Sequence, residues 1–87
     1  MRYIYFEWDD GNEYKVSERA SIEEIESVFY DRKRKIFRTY FNRYKTIART
    51  NSGRYLFVVY QKKVGGIIRV ISVRSMDRYE IRKYWKK

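Results

Sequence analysis

The 87-residue chain carries 21 Lys and Arg against 11 Asp and Glu, a net charge of +10, and contains neither Cys nor His. This excludes a disulfide framework, a thiolate zinc site, a Cys nucleophile and the usual general base near neutral pH. The length predicts one domain spanning residues 1–87, and an aromatic content of 20% supplies the large rings that so small a core needs.

No apolar run approaches the roughly 20 residues of a membrane-spanning helix. The opening from Met1 to Trp8 alternates and then turns acidic, unlike a secretory leader. A soluble, cytoplasmic protein with no membrane partner is expected. Charge is also unevenly spread. Residues 1–31 hold nine acidic and three basic side chains, whereas residues 32–87 hold two acidic and eighteen basic ones. Self-repulsion on that scale opposes folding, so it points to an external polyanion, RNA first among them.

The first strand is predicted at 2–8, where Ile4, Phe6 and Trp8 alternate. Asp9-Asp10-Gly11-Asn12 stops it, and a short polar helix follows from Asn12, carrying Tyr14, Lys15, Val16 and Arg19. Ser21-Ile22-Glu23-Glu24 forms a capping box, and Ile22, Ile25, Val28 and Phe29 share one helical face. A helix over 21–30 follows.

Residues 34–41 and 43–50 read as consecutive strands, the first with Phe37, Thr39 and Phe41 on one face. Asn51-Ser52-Gly53-Arg54 is a hairpin turn. Tyr55 to Tyr60 is nearly all apolar, which predicts a central strand covered on both faces. Gly65-Gly66 turns the chain into a strand over 67–74. Asp77-Arg78-Tyr79-Glu80 is a second capping box, opening a helix that packs Ile81, Tyr84 and Trp85 inward, with Lys86-Lys87 at the negative end of its dipole. The fold class is therefore α+β, a small antiparallel sheet packed with helices in the order β-α-α-β-β-β-β-α.

The chemistry concentrates in the C-terminal half. Arg54, Arg69, Arg74, Arg78 and Arg82 cluster there with Lys62, Lys63, Lys83 and several tyrosines. Arginine pairs bidentately with phosphate and tyrosine stacks on unpaired bases, the combination that single-stranded RNA binding requires. Arg69 interrupts the apolar run Ile67 to Ile71, as an edge-strand charge or a ligand-held one. Period-two counting sets Arg69 and Arg74 on opposite faces, so both reach one phosphate only if Arg74 lies beyond the strand end. Glu80 is the natural acid–base candidate, yet surrounding cations predict a lowered pKa and a poor base. Lys15 and Arg19 share a helical face and form a second candidate phosphate clamp. No metal site and no cofactor are expected.

The motifs Phe6-Glu7-Trp8-Asp9, Asn12 with Lys15, Ser21 to Ile25, Gly53-Arg54-Tyr55-Leu56 and Ile68 to Arg74, followed by Glu80, Arg82 and Tyr84, run in the order of a known family. The chain resembles the BrnT-type toxins. The resemblance implies a RelE-like fold and a ribonuclease toxin of a type II toxin–antitoxin system. It implies a cognate antitoxin with a ribbon-helix-helix DNA-binding domain, so that operator DNA is contacted only through the antitoxin. It also implies metal-free attack of an RNA 2′-hydroxyl on its own phosphate. In that scheme Arg69 and Arg74 stabilise phosphate charge, Lys15 and Arg54 position the backbone, and Glu80 or a tyrosine handles protons. Arg19, Arg78, Arg82 and Tyr84 complete the RNA contacts, with Arg54. The chain departs from the family where His commonly stands, reading Lys15-Val16-Ser17-Glu18-Arg19, and where Ala48-Arg49 replace the usual Gly before Thr50. Two other classes fit the same residues: a binding module without activity, and a toxin whose target is a protein.

Overall fold

The computed structural model describes residues 4–84. Helix α1 (Glu13–Val16) and helix α2 (Ile22–Val28) precede four strands, β1 (Lys35–Arg38), β2 (Arg43–Arg49), β3 (Tyr55–Lys62) and β4 (Ile68–Ser75), and helix α3 (Arg78–Tyr84) follows them. The strands form one antiparallel sheet in the order β1-β2-β3-β4. Short connections dictate that order, because tight turns can only join antiparallel neighbours.

Both capping boxes form. Ser21 Oγ accepts the Glu24 N–H at 3.1 Å while Glu24 returns to the Ser21 N–H. Asp77 Oδ1 accepts the Glu80 N–H at 2.8 Å, and Glu80 Oε1 accepts the Asp77 N–H at 3.1 Å. Helix α2 buries Ile25 and Val28 against Ala48, Leu56, Val58, Tyr60, Val70 and Val73 on one face of the sheet. Each such fully buried aliphatic side chain contributes roughly 1.5–3 kcal/mol. Phe29 joins the layers edge-on, 4.9 Å from Tyr60 and 5.2 Å from Phe6.

The predicted first strand is not a strand among the described residues. Phe6 makes a single parallel bridge to Ile68, with the Ile68 N–H on the Tyr5 carbonyl at 2.9 Å and the Glu7 N–H on the Ile68 carbonyl at 2.8 Å. Buried Asn12 then ends the pairing. Its side-chain amide donates to the carbonyls of Glu7 at 2.9 Å and Val70 at 3.0 Å, while its oxygen accepts from the Asp9 N–H. Alternation at Ile4, Phe6 and Trp8 marks residues packed against the core rather than a ladder. The described order is thus α-α-β-β-β-β-α.

The strands of the β1–β2 hairpin are shorter at their junction than predicted. Phe41 and Asn42 both adopt φ of 59°, and the Arg43 N–H returns to the Tyr40 carbonyl at 3.1 Å. Strand β3 is central, but its two faces differ. Leu56, Val58 and Tyr60 are buried, whereas Tyr55, Phe57, Val59 and Gln61 are only half-buried. Helix α3 crosses part of that second face, with Ile81 and Tyr84 half-buried rather than in the core. The inward packing expected of Trp85 and the role of Lys86-Lys87 lie outside the described residues.

Candidate nucleic-acid interface

The sheet's second face is built by register. Phe37 stands opposite Lys45, Lys45 opposite Val59, and Phe57 opposite Arg74. A bulge in β4 decides which of its residues join them. Val59 pairs with Ser72 but the next residue, Tyr60, pairs with Val70, so Ile71 is extra. An added residue inverts the side-chain alternation beyond it. Val70 and Val73 therefore both face the core, and Arg69 and Arg74 both face away from it. Simple period-two counting fails here because the bulge intervenes. Their β3 partners, Gln61 and Phe57, are four residues apart, which sets Arg69 and Arg74 about 13 Å apart along the sheet.

Arg74 has a rigid setting. Its two terminal nitrogens donate to Glu80 Oε1 at 2.7 Å and Oε2 at 2.5 Å. Its guanidinium lies over the Phe57 ring, 4.5 Å from the centroid. Paired with Arg74, and capping α3 through the Asp77 N–H, the Glu80 carboxyl falls to a pKa of about 2. Glu80 is therefore a carboxylate throughout the neutral range and a weak base. The Arg74 side chain still keeps nearly half of its surface in solvent, with donors left over.

Arg69 is differently placed. Its guanidinium donates to Glu7 Oε1 and Asp9 Oδ2, each at 2.9 Å, and to Asp9 Oδ1 at 3.1 Å. Asp9 chiefly, then Glu7, raises the Arg69 pKa, and Arg69 in turn lowers that of Asp9. Lys63 also donates to Glu7, at 3.0 and 3.1 Å, and is the main reason the Glu7 pKa is lowered. A Cβ at Gly11 would meet both Arg69 Nη2 and Asp9 Oδ1 at 3.1 Å, so this position is kept small. The cluster bolts the N-terminal segment to β4.

Arg54 serves a third junction. It donates to Glu24 Oε1, the Arg19 carbonyl and Ser75 Oγ, all at 3.0 Å, tying α2 to the start of β3 and the end of β4. Glu24 also accepts from Ser52 Oγ, the leading reason its pKa is lowered. Lys15 and Arg19 are exposed and line a small cleft of about 120 Å³ with Ile71 and Ser72, at the bulge. Arg78 and Arg82 are exposed on α3.

Beside Arg74 opens a concavity of about 630 Å³, lined by Phe37, Arg38, Thr39, Tyr40, Lys45, Phe57 and Tyr84. Tyr84 meets Phe37 edge-on at 6.0 Å, and Lys45 Nζ lies 5.5 Å from the Phe57 centroid. Of these residues only Tyr84 stands out in the sequence. Phe37, Lys45 and Phe57 come together only through strand register, although their same-parity placement on adjacent strands is a signal for them.

The structure thus gathers Arg74, Glu80 and Tyr84 around one cleft, with Arg78 and Arg82 on the same helix, and holds Arg54 and Arg69 in separate carboxylate networks. No curated protein matches the sequence. The sequence model of the BrnT toxins, described as the ribonuclease toxin of a type II toxin–antitoxin system, matches residues 8–80. That match takes in most of the chain, including Arg69, Arg74 and Glu80, and the protein belongs to the BrnT family of ribonuclease toxins.

Proposed function

We propose that this toxin cleaves RNA at Arg74 by metal-independent attack of a 2′-hydroxyl on the adjacent phosphate. The observation that carries the reading is the Arg74–Glu80 clamp over Phe57, a fixed guanidinium at the rim of an open aromatic and basic cleft. Glu80 occupies two of the five arginine N–H donors, leaving others for the phosphate. In the reaction the 2′-oxygen bonds to phosphorus, loses its proton, and the 5′-oxygen departs and gains one. The products are a 2′,3′-cyclic phosphate and a 5′-hydroxyl. Arg74 stabilises the charge that builds on the phosphate oxygens, and preorganisation by Glu80 means little rearrangement is needed. Glu80 orients rather than accepts protons, and a tyrosine hydroxyl on the cleft wall, Tyr84 or Tyr40, handles them.

Lys15, Arg19, Arg78 and Arg82 extend a positive track on either side for flanking phosphates. The four-stranded antiparallel sheet with α1 and α2 on one face supports a RelE-like fold. A small antitoxin, carrying a ribbon-helix-helix domain for operator DNA, neutralises the toxin. No helix among the described residues is long and apolar enough to cross a membrane, in keeping with action on cytoplasmic RNA. The internal carboxylate partners of Arg54, Arg69 and Arg74 favour a second reading, a binding module in which all three arginines are structural.

Controlled expression in a bacterial host, following growth and total RNA, separates the two. Arrest with fragmented RNA, absent in Arg74→Ala, supports the nuclease. Normal growth with soluble protein supports the binding module.

A further inference from the structure

We propose that the cleft beside Arg74 is a base-reading pocket that selects guanine in the nucleotide next to the cleaved phosphate. This rests on the ribonuclease reading only for which phosphate is adjacent; the pocket is argued from its own walls.

Four rings, Phe37, Tyr40, Phe57 and Tyr84, line a concavity of about 630 Å³, and Phe37 is 38% exposed at its rim. An open aromatic lining on a sheet surface is what an unstacked base needs. Phe57 already carries Arg74 at 4.5 Å and Lys45 at 5.5 Å, and Lys83 lies 5.3 Å from the Tyr84 centroid, which leaves Phe37, beside exposed Tyr40, as the surface for a base. The second consideration is polarity. Among the lining residues no Asp or Glu occurs; of the two charged ones, Arg38 and Lys45, the register directs Lys45 onto this face, opposite Phe37 and Val59 and beside Arg74 on Phe57. Lysine offers donors only. A base presenting clustered acceptors is therefore favoured, and guanine presents O6 and N7 side by side. Adenine sets an amino donor beside N7, and cytosine directs its N4 amino group at the same position.

Binding is to be measured by fluorescence anisotropy at fixed salt. The probes are labelled cytidine hexamers lacking every 2′-hydroxyl, with one central guanine, adenine, cytosine or abasic position. Such probes bind but cannot be cleaved by 2′-hydroxyl attack. The guanine probe is expected to bind about tenfold more tightly than the all-cytosine one, with the abasic probe weakest. Lys45→Met should erase the guanine advantage and keep the abasic penalty, whereas Phe37→Ala should erase the abasic penalty. Both side chains are partly exposed, and circular dichroism checks each fold. Equal affinity for all four probes, or a guanine advantage that survives Lys45→Met, overturns the proposal. Cleavage of natural RNA is scored separately. Cleavage without base preference removes the pocket and leaves the nuclease, while guanine preference without cleavage does the reverse.

Discussion

Arg69 and Arg74 face the same side of β4, five positions apart, because the strand gains a residue at Ile71. That shared face does not give them a shared task. Arg69 is enclosed by Glu7 and Asp9, whereas Arg74 is held by one carboxylate over an aromatic ring and stays half open to solvent.

The two arginines should therefore separate on substitution. Arg74→Ala is expected to lower RNA cleavage by about 10²-fold or more, in the range for loss of one preorganised charge-stabilising group, with a modest fall in melting temperature as Glu80 loses its partner. Arg69→Ala should lower the melting temperature, since it strands two carboxylates, and should retain most cleavage. Thermal denaturation and a cleavage assay on the same preparations check both.

Arg54, like Arg69, is tied to an internal carboxylate. Arg54→Ala should cost about 1 kcal/mol of stability, modest because the ion pair is partly exposed. RNA affinity should stay within twofold of wild type, by roughly the scatter of such assays. A loss of affinity with unchanged stability would return Arg54 to the RNA contacts.

Acid sensitivity follows from Glu80. Its pKa in the folded protein is about 2 against an ordinary 4.5. A lowered carboxylate pKa stabilises the fold above the unfolded value, and that contribution is lost as pH falls through the folded one. The stability gap between wild type and Glu80→Gln should thus be full above pH 4.5 and close toward pH 2. Denaturant titrations at stepped pH measure it. No acidic limb of the activity profile between pH 4.5 and neutrality should arise from Glu80.

Phe41 holds φ of 59° at the tip of the β1–β2 hairpin and is almost fully exposed. A bulky side chain in left-handed backbone costs roughly 1–2 kcal/mol. Phe41→Gly should raise stability by up to about 1 kcal/mol, after allowing for the greater freedom of glycine when unfolded. Chemical denaturation tests this directly.

What the sequence made legible was mostly local. The capping boxes at Ser21 and Asp77 are formed by side chains meeting backbone three residues away, so spacing alone reveals them. The turn at Thr50–Arg54 is likewise set within a few residues, with Gly53 at φ of 91°. The bulge at Ile71 was not legible, since it is defined by pairing with Val59 and Tyr60 on another strand. The segment before Asp9 has strand-like alternation, but its partner edge is available only at Ile68 before Asn12 ties it down. The cleft draws Phe37, Lys45, Phe57 and Tyr84 from four separate elements, and nothing nearby in sequence joins them.

The most direct test of Arg74 as the phosphate-stabilising group is cleavage of a short RNA by the purified protein, with fragment ends read by mass spectrometry. Wild type should yield 2′,3′-cyclic phosphate and 5′-hydroxyl ends, no product should form where the 2′-hydroxyl is removed, and Arg74→Ala should be nearly inactive while folded. Undiminished cleavage by Arg74→Ala, or fragments ending in 5′-phosphate, would contradict the assignment.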